Sequence, residues 1–371
     1  MKLTLVATCL FGLEKLLGEE IDALGYERIK TIDGRVTYLA DEGGIARSNI
    51  FLRFAERVYL ALGSFRAESF EELYQGTRAL PWADYIGEND AFPVKGHAIK
   101  SKLFSIPDCQ SIAKKAVVDS LGAHYKMTRF PEDGVKYQIE FFILNDEATL
   151  MIDTSGVPLH KRGYRKDALG APIRETLAAA IAALSRPREN VLFWDPMCGS
   201  GTIAIEAAMK MRGIAPGKSR AFAAEDFGFI DKKIWLSARD EAISGEHPSD
   251  FEAYASDIDP DAVALAEKNV RLAGVADTVK VFRCDARKIG EPGRRGTVVT
   301  NPPYGERLGT IKEAEALYRE IGVHFRSLSP WQIYLITSHP AFEKHYGKRA
   351  DKVRKLYNGM LPCYLYQYFK N

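Results

Sequence analysis

The sequence lacks the features that mark several common protein classes. No apolar run approaches the length that a membrane-spanning helix needs. The five cysteines form no CxxC pair, and their odd number and scatter do not indicate the disulfide framework of a secreted protein, so we expect a cytoplasmic location. The seven histidines show no HxxxH spacing, and we expect no metal site.

A strong charge of one sign is also missing. The 51 basic and 49 acidic residues leave a net charge of +2, so a nucleic-acid partner would have to be met by a local basic patch. What is present is the composition of a globular protein, with 46% hydrophobic and 27% charged residues, which excludes intrinsic disorder. A chain of 371 residues is long enough for two or three domains.

Glycine and proline residues, which favour turns, mark the boundaries between four segments of the chain. Residues 1–62 and 63–155 each predict a small α+β unit, and Asn145-Asp146 in the second predicts the turn of a β-hairpin. Residues 156–170 form a basic linker that contains the run His160–Lys166. A run of this kind is either a solvated surface or, with Tyr164 among its cations, a face for RNA or a cofactor. Residues 171–371 form the last segment.

In the last segment, apolar strands alternate with helices. Strands are predicted at 191–195, 251–257, 279–285, 297–301 and 332–338, with helices at 201–213, 260–273 and 311–328. Strands that are apolar throughout and alternate with helices are typical of a parallel, doubly wound α/β sheet of the Rossmann type. Two further strands, 352–358 and 364–370, predict an antiparallel hairpin at the end of that sheet.

A glycine-rich turn, Asp195–Thr202, follows the first of these strands. Gly199 and Gly201 allow the backbone to turn tightly beside a ligand, and the next helix offers free N–H groups at its N-terminus. The turn has no GxGxxG spacing, which disfavours NAD, and it does not end in GK[ST], which excludes a P-loop. Because an acidic residue in this place repels phosphates but suits an ammonium group, Asp195 favours S-adenosylmethionine as the cofactor.

Two further strands end in aspartate. Asp257 follows the second strand, where a carboxylate can hold the two hydroxyls of a ribose, and Ile258 would lie on the adenine face. Asp259 is expected to cap the helix that Pro260 begins. Asp285 ends the third strand, where it can accept a hydrogen bond from the adenine amino group.

The fourth strand ends in Asn301-Pro302-Pro303-Tyr304. The amino group of a nucleobase is a poor nucleophile because its lone pair is conjugated with the ring. If the side-chain oxygen of Asn301 and the carbonyl of Pro302 accept its two N–H bonds, the nitrogen is drawn toward tetrahedral geometry and its lone pair can face a methyl donor. Tyr304 can stack on the base, which must be single-stranded or swung out to enter.

These motifs resemble the ordered motifs of class I S-adenosylmethionine-dependent amino-methyltransferases. The run His160–Arg165, the segment Ala171–Ala178 and the stretch Asn301–Gly309 are similar to their counterparts in THUMP-containing RNA guanine-N2 methyltransferases. The nearest resemblance is to the bacterial enzymes that modify large-subunit ribosomal RNA, in the form with one catalytic domain. It implies a ferredoxin-like unit and an RNA-binding THUMP domain before the Rossmann-like methyltransferase domain, and it suggests that Thr176 or Ala171 touches the methionine moiety.

The resulting hypothesis is an S-adenosylmethionine-dependent methyltransferase that acts on guanine N2, in ribosomal RNA first and transfer RNA as an alternative. The catalytic candidates are Asn301, Pro302 and Tyr304. The cofactor-binding candidates are Asp195, Met197, Cys198, Gly199, Gly201, Thr202, Asp257, Ile258, Asp285, Ala286, Asn301 and Thr176. The expected partner is RNA, and the cations Lys344, Lys348, Arg349, Lys352, Arg354 and Lys355 are expected to contact its phosphates.

Three rival hypotheses remain. An N6-adenine DNA methyltransferase would use the same Asn-Pro-Pro-Tyr motif. An RNA-binding assembly factor with a vestigial pocket is disfavoured by the intact aspartates and Asn301. An NAD-dependent oxidoreductase is disfavoured by the missing glycine fingerprint.

Overall fold

The computed structural model describes residues 2–165, 173–291, 293–304, 310–328 and 330–369. In these residues the chain forms two sheets of seven strands each. The first belongs to the N-terminal half and the second to the C-terminal half.

The first sheet has the strand order β2-β3-β1-β4-β7-β6-β5. Its strands are β1 (Leu3–Cys9), β2 (Glu27–Ile32), β3 (Arg35–Ala40), β4 (Ala55–Arg66), β5 (Val94–Ile99), β6 (Ile139–Leu144) and β7 (Glu147–Asp153). The helices of this half are α1 (Glu14–Ala23), α2 (Glu42–Phe51), α3 (Phe70–Arg78) and α4 (Ile106–Tyr125). The predicted hairpin is present between β6 and β7, and both Asn145 and Asp146 have the positive φ that a tight hairpin turn requires.

Strand β4 joins the two α+β units. It pairs antiparallel with β1 on one side and with β7 on the other, over twelve residues. The proposed boundary between residues 62 and 63 falls inside this strand. The two units therefore share one continuous sheet.

The second sheet has the strand order β10-β9-β8-β11-β12-β14-β13. Its strands are β8 (Leu192–Asp195), β9 (Ala253–Asp257), β10 (Val279–Arg283), β11 (Gly296–Thr300), β12 (Gln332–Thr337), β13 (Lys352–Asn358) and β14 (Leu361–Tyr368). The helices are α5 (Glu175–Leu184), α6 (Thr202–Met211), α7 (Lys232–Ser244), α8 (Pro260–Leu272), α9 (Ile311–Ser327) and α10 (Phe342–Tyr346).

The pairing in this sheet confirms the predicted architecture. Strands β8 to β12 are parallel to one another. Strand β14 runs antiparallel to both β12 and β13. The order reverses between β8 and β11, which is the switch point where ligands of open α/β sheets bind.

Two residues of the basic run lie inside the protein rather than on its surface. Arg162 and Tyr164 are buried, and both contact the buried carboxylate of Glu206 on α6, the tyrosine hydroxyl at 3.0 Å. Neither of the two alternatives for this run describes Arg162 and Tyr164, whereas Lys161 is exposed to solvent. Residues 166–172, with Lys166 and Ala171, lie outside the described residues.

The two halves pack together through a shared core. One hydrophobic cluster contains residues of both sheets, from Leu5 on β1 to Ala255 on β9. At its edge, Arg47 on α2 pairs with Glu241 on α7 at 2.8 Å. Among the described residues, no helix combines the length and the apolar character that crossing a membrane demands.

Candidate active site

The carboxyl ends of β8, β9, β10 and β11 open into one cavity of about 690 Å³, a volume typical of ligand sites. All of the predicted site residues except Gly201 and Thr176 line this cavity. Residues from four separate strand ends therefore face one space, as the parallel topology requires.

The glycine-rich turn brings its backbone to the cavity. Gly199 and Gly201 have φ of +49° and +78°, which residues with a side chain rarely adopt, and Gly201 is the N-cap of α6. A Cβ on Gly201 would lie 3.2 Å from that of Ala266 on α8, whereas one on Gly199 would meet no atom within 4 Å. Gly201 thus lets two helices approach, and Gly199 leaves open space where the backbone meets the cavity.

Asp195 is buried beneath this turn. Its carboxyl accepts a hydrogen bond of 2.7 Å from the Thr300 hydroxyl at the end of β11. Burial raises the pKa of Asp195 to about 7. A carboxyl with that pKa changes charge near neutrality, so a cationic ligand group beside it would draw it to the carboxylate form.

Asp257 is held against the same turn. One carboxylate oxygen accepts from the Gly199 N–H at 2.9 Å and the other from the Asp259 N–H at 3.1 Å. These bonds fix the carboxylate in the cavity wall, with the side chain of Ile258 exposed beside it. Asp259 caps α8 through the Asp261 N–H at 2.9 Å, as the sequence predicts.

Asp285 has a partner that the sequence did not suggest. Its carboxylate accepts hydrogen bonds from the Arg287 guanidinium, at 2.6 Å for the shortest, and this interaction lowers the pKa of Asp285. Arg287 also pairs with Glu320 of α9 at 2.8 Å. The arginine thus connects the end of β10 to the helix that closes the far side of the cavity, and a ligand that uses Asp285 shares it with Arg287.

The Asn-Pro-Pro-Tyr segment forms the wall at the end of β11. The Tyr304 hydroxyl donates a hydrogen bond to the Asn301 side-chain oxygen. The carbonyl of Pro303 accepts one of 2.7 Å from Tyr318 on α9, which fixes the backbone of the segment. Residues 305–309, which carry the rest of the predicted motif, lie outside the described residues.

Besides Gly201, one predicted residue does not line the cavity. Thr176 is fully buried in the first turn of α5, and its hydroxyl donates to Glu56 on β4 at 2.5 Å rather than lining the cavity.

Several lining residues were missed by sequence reasoning. They include Ile173, the α9 residues Glu313, Leu317 and Glu320, and Asn358 and Leu361 at the turn of the β13–β14 hairpin. The Thr310-x-x-Glu313 capping box gives the start of α9 in the sequence, but only the fold shows that this start faces the cavity.

Models of three protein families match the chain. The one described as "RMKL-like, methyltransferase domain" matches residues 162–367, the RlmL ferredoxin-like domain matches 4–59, and the THUMP domain matches 67–153.

Two named relatives are similar over nearly the whole chain. The "Putative RNA methyltransferase YpsC" of Bacillus subtilis (strain 168) is 42% identical, over 99% of this chain and 96% of its own. The Ribosomal RNA large subunit methyltransferase K/L of Psychromonas ingrahamii is 33% identical over 96% of this chain, which spans only 49% of that protein.

Solved structures of similar sequence have the same fold. A "possible methylase" from Clostridium difficile 630 is 46% identical with a TM-score of 0.96, over 100% of this chain and 99% of its own. A structure from Listeria monocytogenes, described as a predicted N6-adenine-specific DNA methylase, is 42% identical with a TM-score of 0.93, over 100% and 97%. SMU.472, described as "a putative methyltransferase" and complexed with S-adenosylhomocysteine (SAH), is 40% identical with a TM-score of 0.92, over 100% of this chain and 98% of its own.

Proposed function

This chain belongs to the family of RMKL-like methyltransferases, and on that premise we propose that it transfers a methyl group to the exocyclic N2 amine of a guanine in large-subunit ribosomal RNA. The observation that carries the proposal is the Asn301–Tyr304 segment on the wall of the cavity that the strand-end aspartates share. Asn301, Pro302 and Tyr304 act on the base, and the other candidate residues that line the cavity hold the cofactor.

The cofactor of the family is S-adenosylmethionine. The donor set of the cavity fits it. The buried Asp195 and the α6 N-terminus suit an amino-acid moiety with both charges, Asp257 suits the ribose hydroxyls, and exposed Ile258 beside Ala286 offers an apolar face to adenine. When bound, the cofactor supplies an electrophilic methyl group on a sulfonium.

Asn301 and Pro302 activate the amine by geometry rather than by strong base. Their oxygens accept the two N–H bonds of the exocyclic amine, so that its lone pair leaves the plane of the ring. The segment is held from two sides, by the Thr300–Asp195 bond before it and by the Tyr318–Pro303 bond within it. Dipoles that are fixed before the base arrives need no reorganisation during transfer.

Tyr304 has two roles in this proposal. Its ring stacks on the target base, and its hydroxyl donates a hydrogen bond to the Asn301 oxygen. That oxygen has two lone pairs, so one remains for the entering amine.

The substrate class rests on the N-terminal half. The THUMP match over residues 67–153 and the relatives named as RNA and ribosomal RNA methyltransferases support RNA over DNA. This chain spans about half of the K/L relative.

The proposal is tested by transfer of a tritiated methyl group to ribosomal RNA from a deletion strain, to transfer RNA and to duplex DNA, each then digested to nucleosides. Label in N2-methylguanosine of large-subunit RNA is the expected result, and the Asn301→Ala protein should leave only background. If labelled N2-methylguanosine appears in transfer RNA alone, the substrate is transfer RNA rather than ribosomal RNA. Label in N6-methyladenine of DNA would overturn the proposal.

A further inference from the structure

A short segment before α5 forms one wall of the cofactor cavity. Ile173 lines the cavity, Arg174 is the N-cap of α5, and Thr176 lies in the first turn of that helix. The segment belongs to the C-terminal half, but it is held by contacts from outside that half.

Glu56, on β4 of the N-terminal sheet, holds this segment. Its carboxylate accepts hydrogen bonds from Arg174 at 2.9 Å and from the Thr176 hydroxyl at 2.5 Å, and it lies 2.9 Å from Nδ1 of His160. Its backbone carbonyl also accepts from the Leu159 N–H at 2.8 Å. The glutamate side chain is only 15% exposed, so these contacts are largely shielded from water.

The Glu56 carboxylate keeps its charge in this environment. Burial by itself would raise its pKa, but the hydrogen bonds from His160 and Thr176 and the charge of Arg174 outweigh burial and lower it. Hydrogen bonds to an ionised acceptor are roughly twice as strong as neutral ones.

Arg165 fixes the same segment from the opposite side. Its guanidinium donates to the Ile173 carbonyl at 2.9 Å, to the Thr202 hydroxyl at 3.1 Å and to Glu175 at 2.9 Å. Thr202 begins α6, directly after the glycine-rich turn. Ile173 therefore lies between an anchor on the N-terminal sheet and an anchor on the turn that meets the cofactor.

We propose that Glu56 is a positioning residue of the cofactor site, through which the N-terminal half completes the wall that Ile173 forms. The cofactor cavity is then built by both halves of the chain, and a change in β4 alters cofactor binding without touching the cofactor. The inference rests on the cofactor cavity alone and is independent of which base is methylated.

The test compares Glu56→Ala with Glu241→Ala in the full chain. Both remove the acidic partner of an ion pair between the two halves, but only Glu56 leads to Ile173. We expect Glu56→Ala to weaken SAH binding in calorimetry by about tenfold, the change that ~1.4 kcal/mol produces. Glu241→Ala should bind SAH as the unaltered protein does.

A kinetic split separates positioning from a general loss of structure. In Glu56→Ala the KM for S-adenosylmethionine should rise while kcat at saturating cofactor changes less than about twofold. If Glu56→Ala does not fold, Thr176→Val takes its place, because it keeps the side-chain shape and removes one donor to Glu56. Its KM for S-adenosylmethionine should rise too, by a smaller factor than that expected for Glu56→Ala. The inference would be overturned if Glu56→Ala and Thr176→Val both bind SAH as the unaltered protein does. It would also be overturned if Glu241→Ala loses as much SAH affinity as Glu56→Ala.

Discussion

At the scale of single residues, Asn301 and Tyr304 contact each other on one wall of the cavity, and their proposed contributions to catalysis can be tested separately. The amide oxygen is the proposed acceptor for the amine, and the tyrosine hydroxyl is its present donor. We expect Asn301→Ala to lower kcat by about 10²–10³, the usual cost of removing one fixed dipole from a transfer site. The dissociation constant for SAH, measured by calorimetry, should change by less than about threefold. A tenfold change would correspond to about 1.4 kcal/mol. A variant that works at full speed would contradict the role of the amide.

Tyr304→Phe tests the second contribution. It keeps the ring for stacking and removes a hydroxyl that uses only one of the two lone pairs of the Asn301 oxygen, so kcat should stay within about threefold of the unaltered enzyme. Tyr304→Ala removes the stacking surface and should raise the KM for RNA by about tenfold, since stacking on one base contributes about 1–3 kcal/mol. Equal losses in the two variants would show that the hydroxyl itself is needed.

The buried carboxyl of Asp195 predicts a pH dependence of cofactor binding. Its pKa is raised from 3.8 to about 7 without ligand, so its contribution to the stability of the ligand-free fold is full below pH 3.8 and is lost as pH rises through 7. In the proposed function, the ammonium group of the ligand pairs with the carboxylate form. Binding of SAH near pH 6 should therefore release a proton, and the affinity should rise toward pH 7 by up to about tenfold per pH unit.

Calorimetry in two buffers of different ionisation enthalpy counts that proton. Asp195→Asn keeps the shape of the side chain and its acceptor for Thr300, and it should bind SAH more weakly and with less proton release. If the unaltered protein and Asp195→Asn release the same number of protons on binding SAH, the proton comes from a group other than Asp195.

At the scale of elements, β13 carries three of the six cations proposed to contact RNA. Lys352, Arg354 and Lys355 lie on this strand, and the hairpin turn that follows it reaches the cavity through Asn358. We expect Lys352→Gln/Lys355→Gln to weaken RNA binding and to reduce the slope of log K against log salt by about 1.4–1.8. Lys232→Gln/Lys233→Gln on α7 removes the same charge from exposed residues that do not line the cavity, and its slope should not change.

The elements differ in how far the sequence reveals them. Strands β8 to β12 were predictable because most of them are short, largely apolar runs that alternate with helices, and the strand-end aspartates then had to meet at one edge. Strand β4 was missed, since its place depends on pairing with β7, which comes far later in the chain. Helix α7 was missed although Trp235, Ala238 and Ala242 have helical spacing and are buried.

The site shows the same division. The residue types at the strand ends indicate the ligand chemistry, because that chemistry is local to each motif. The Arg287–Glu320 bridge and the Glu56 contacts depend on residues that meet only after folding, from elements far apart in sequence. A pattern within one segment cannot indicate them.

At the scale of the whole molecule, one of the backbone-to-backbone contacts between the two halves is made at a glycine. The Gly217 N–H donates to the Ile50 carbonyl at 2.9 Å, and a Cβ on Gly217 would lie 2.7 Å from both the Asn49 carbonyl oxygen and the Ile50 Cα. These are backbone atoms of α2, which cannot rotate away. Gly217→Ala therefore forces the halves apart, at a cost of about 1–3 kcal/mol typical of overpacking.

That displacement should be visible both at the interface and at the cavity. Amides of α2 should exchange hydrogen faster in Gly217→Ala, and the thermal midpoint should fall, whereas Gly228→Ala, whose Cβ meets no atom within 4 Å, should change neither. Because Ile173 is held from the N-terminal sheet through Glu56, moving that sheet should also weaken SAH binding. Faster exchange in α2 with unchanged SAH binding would show that the cavity tolerates movement between the halves, and it would limit the Glu56 contact to local packing.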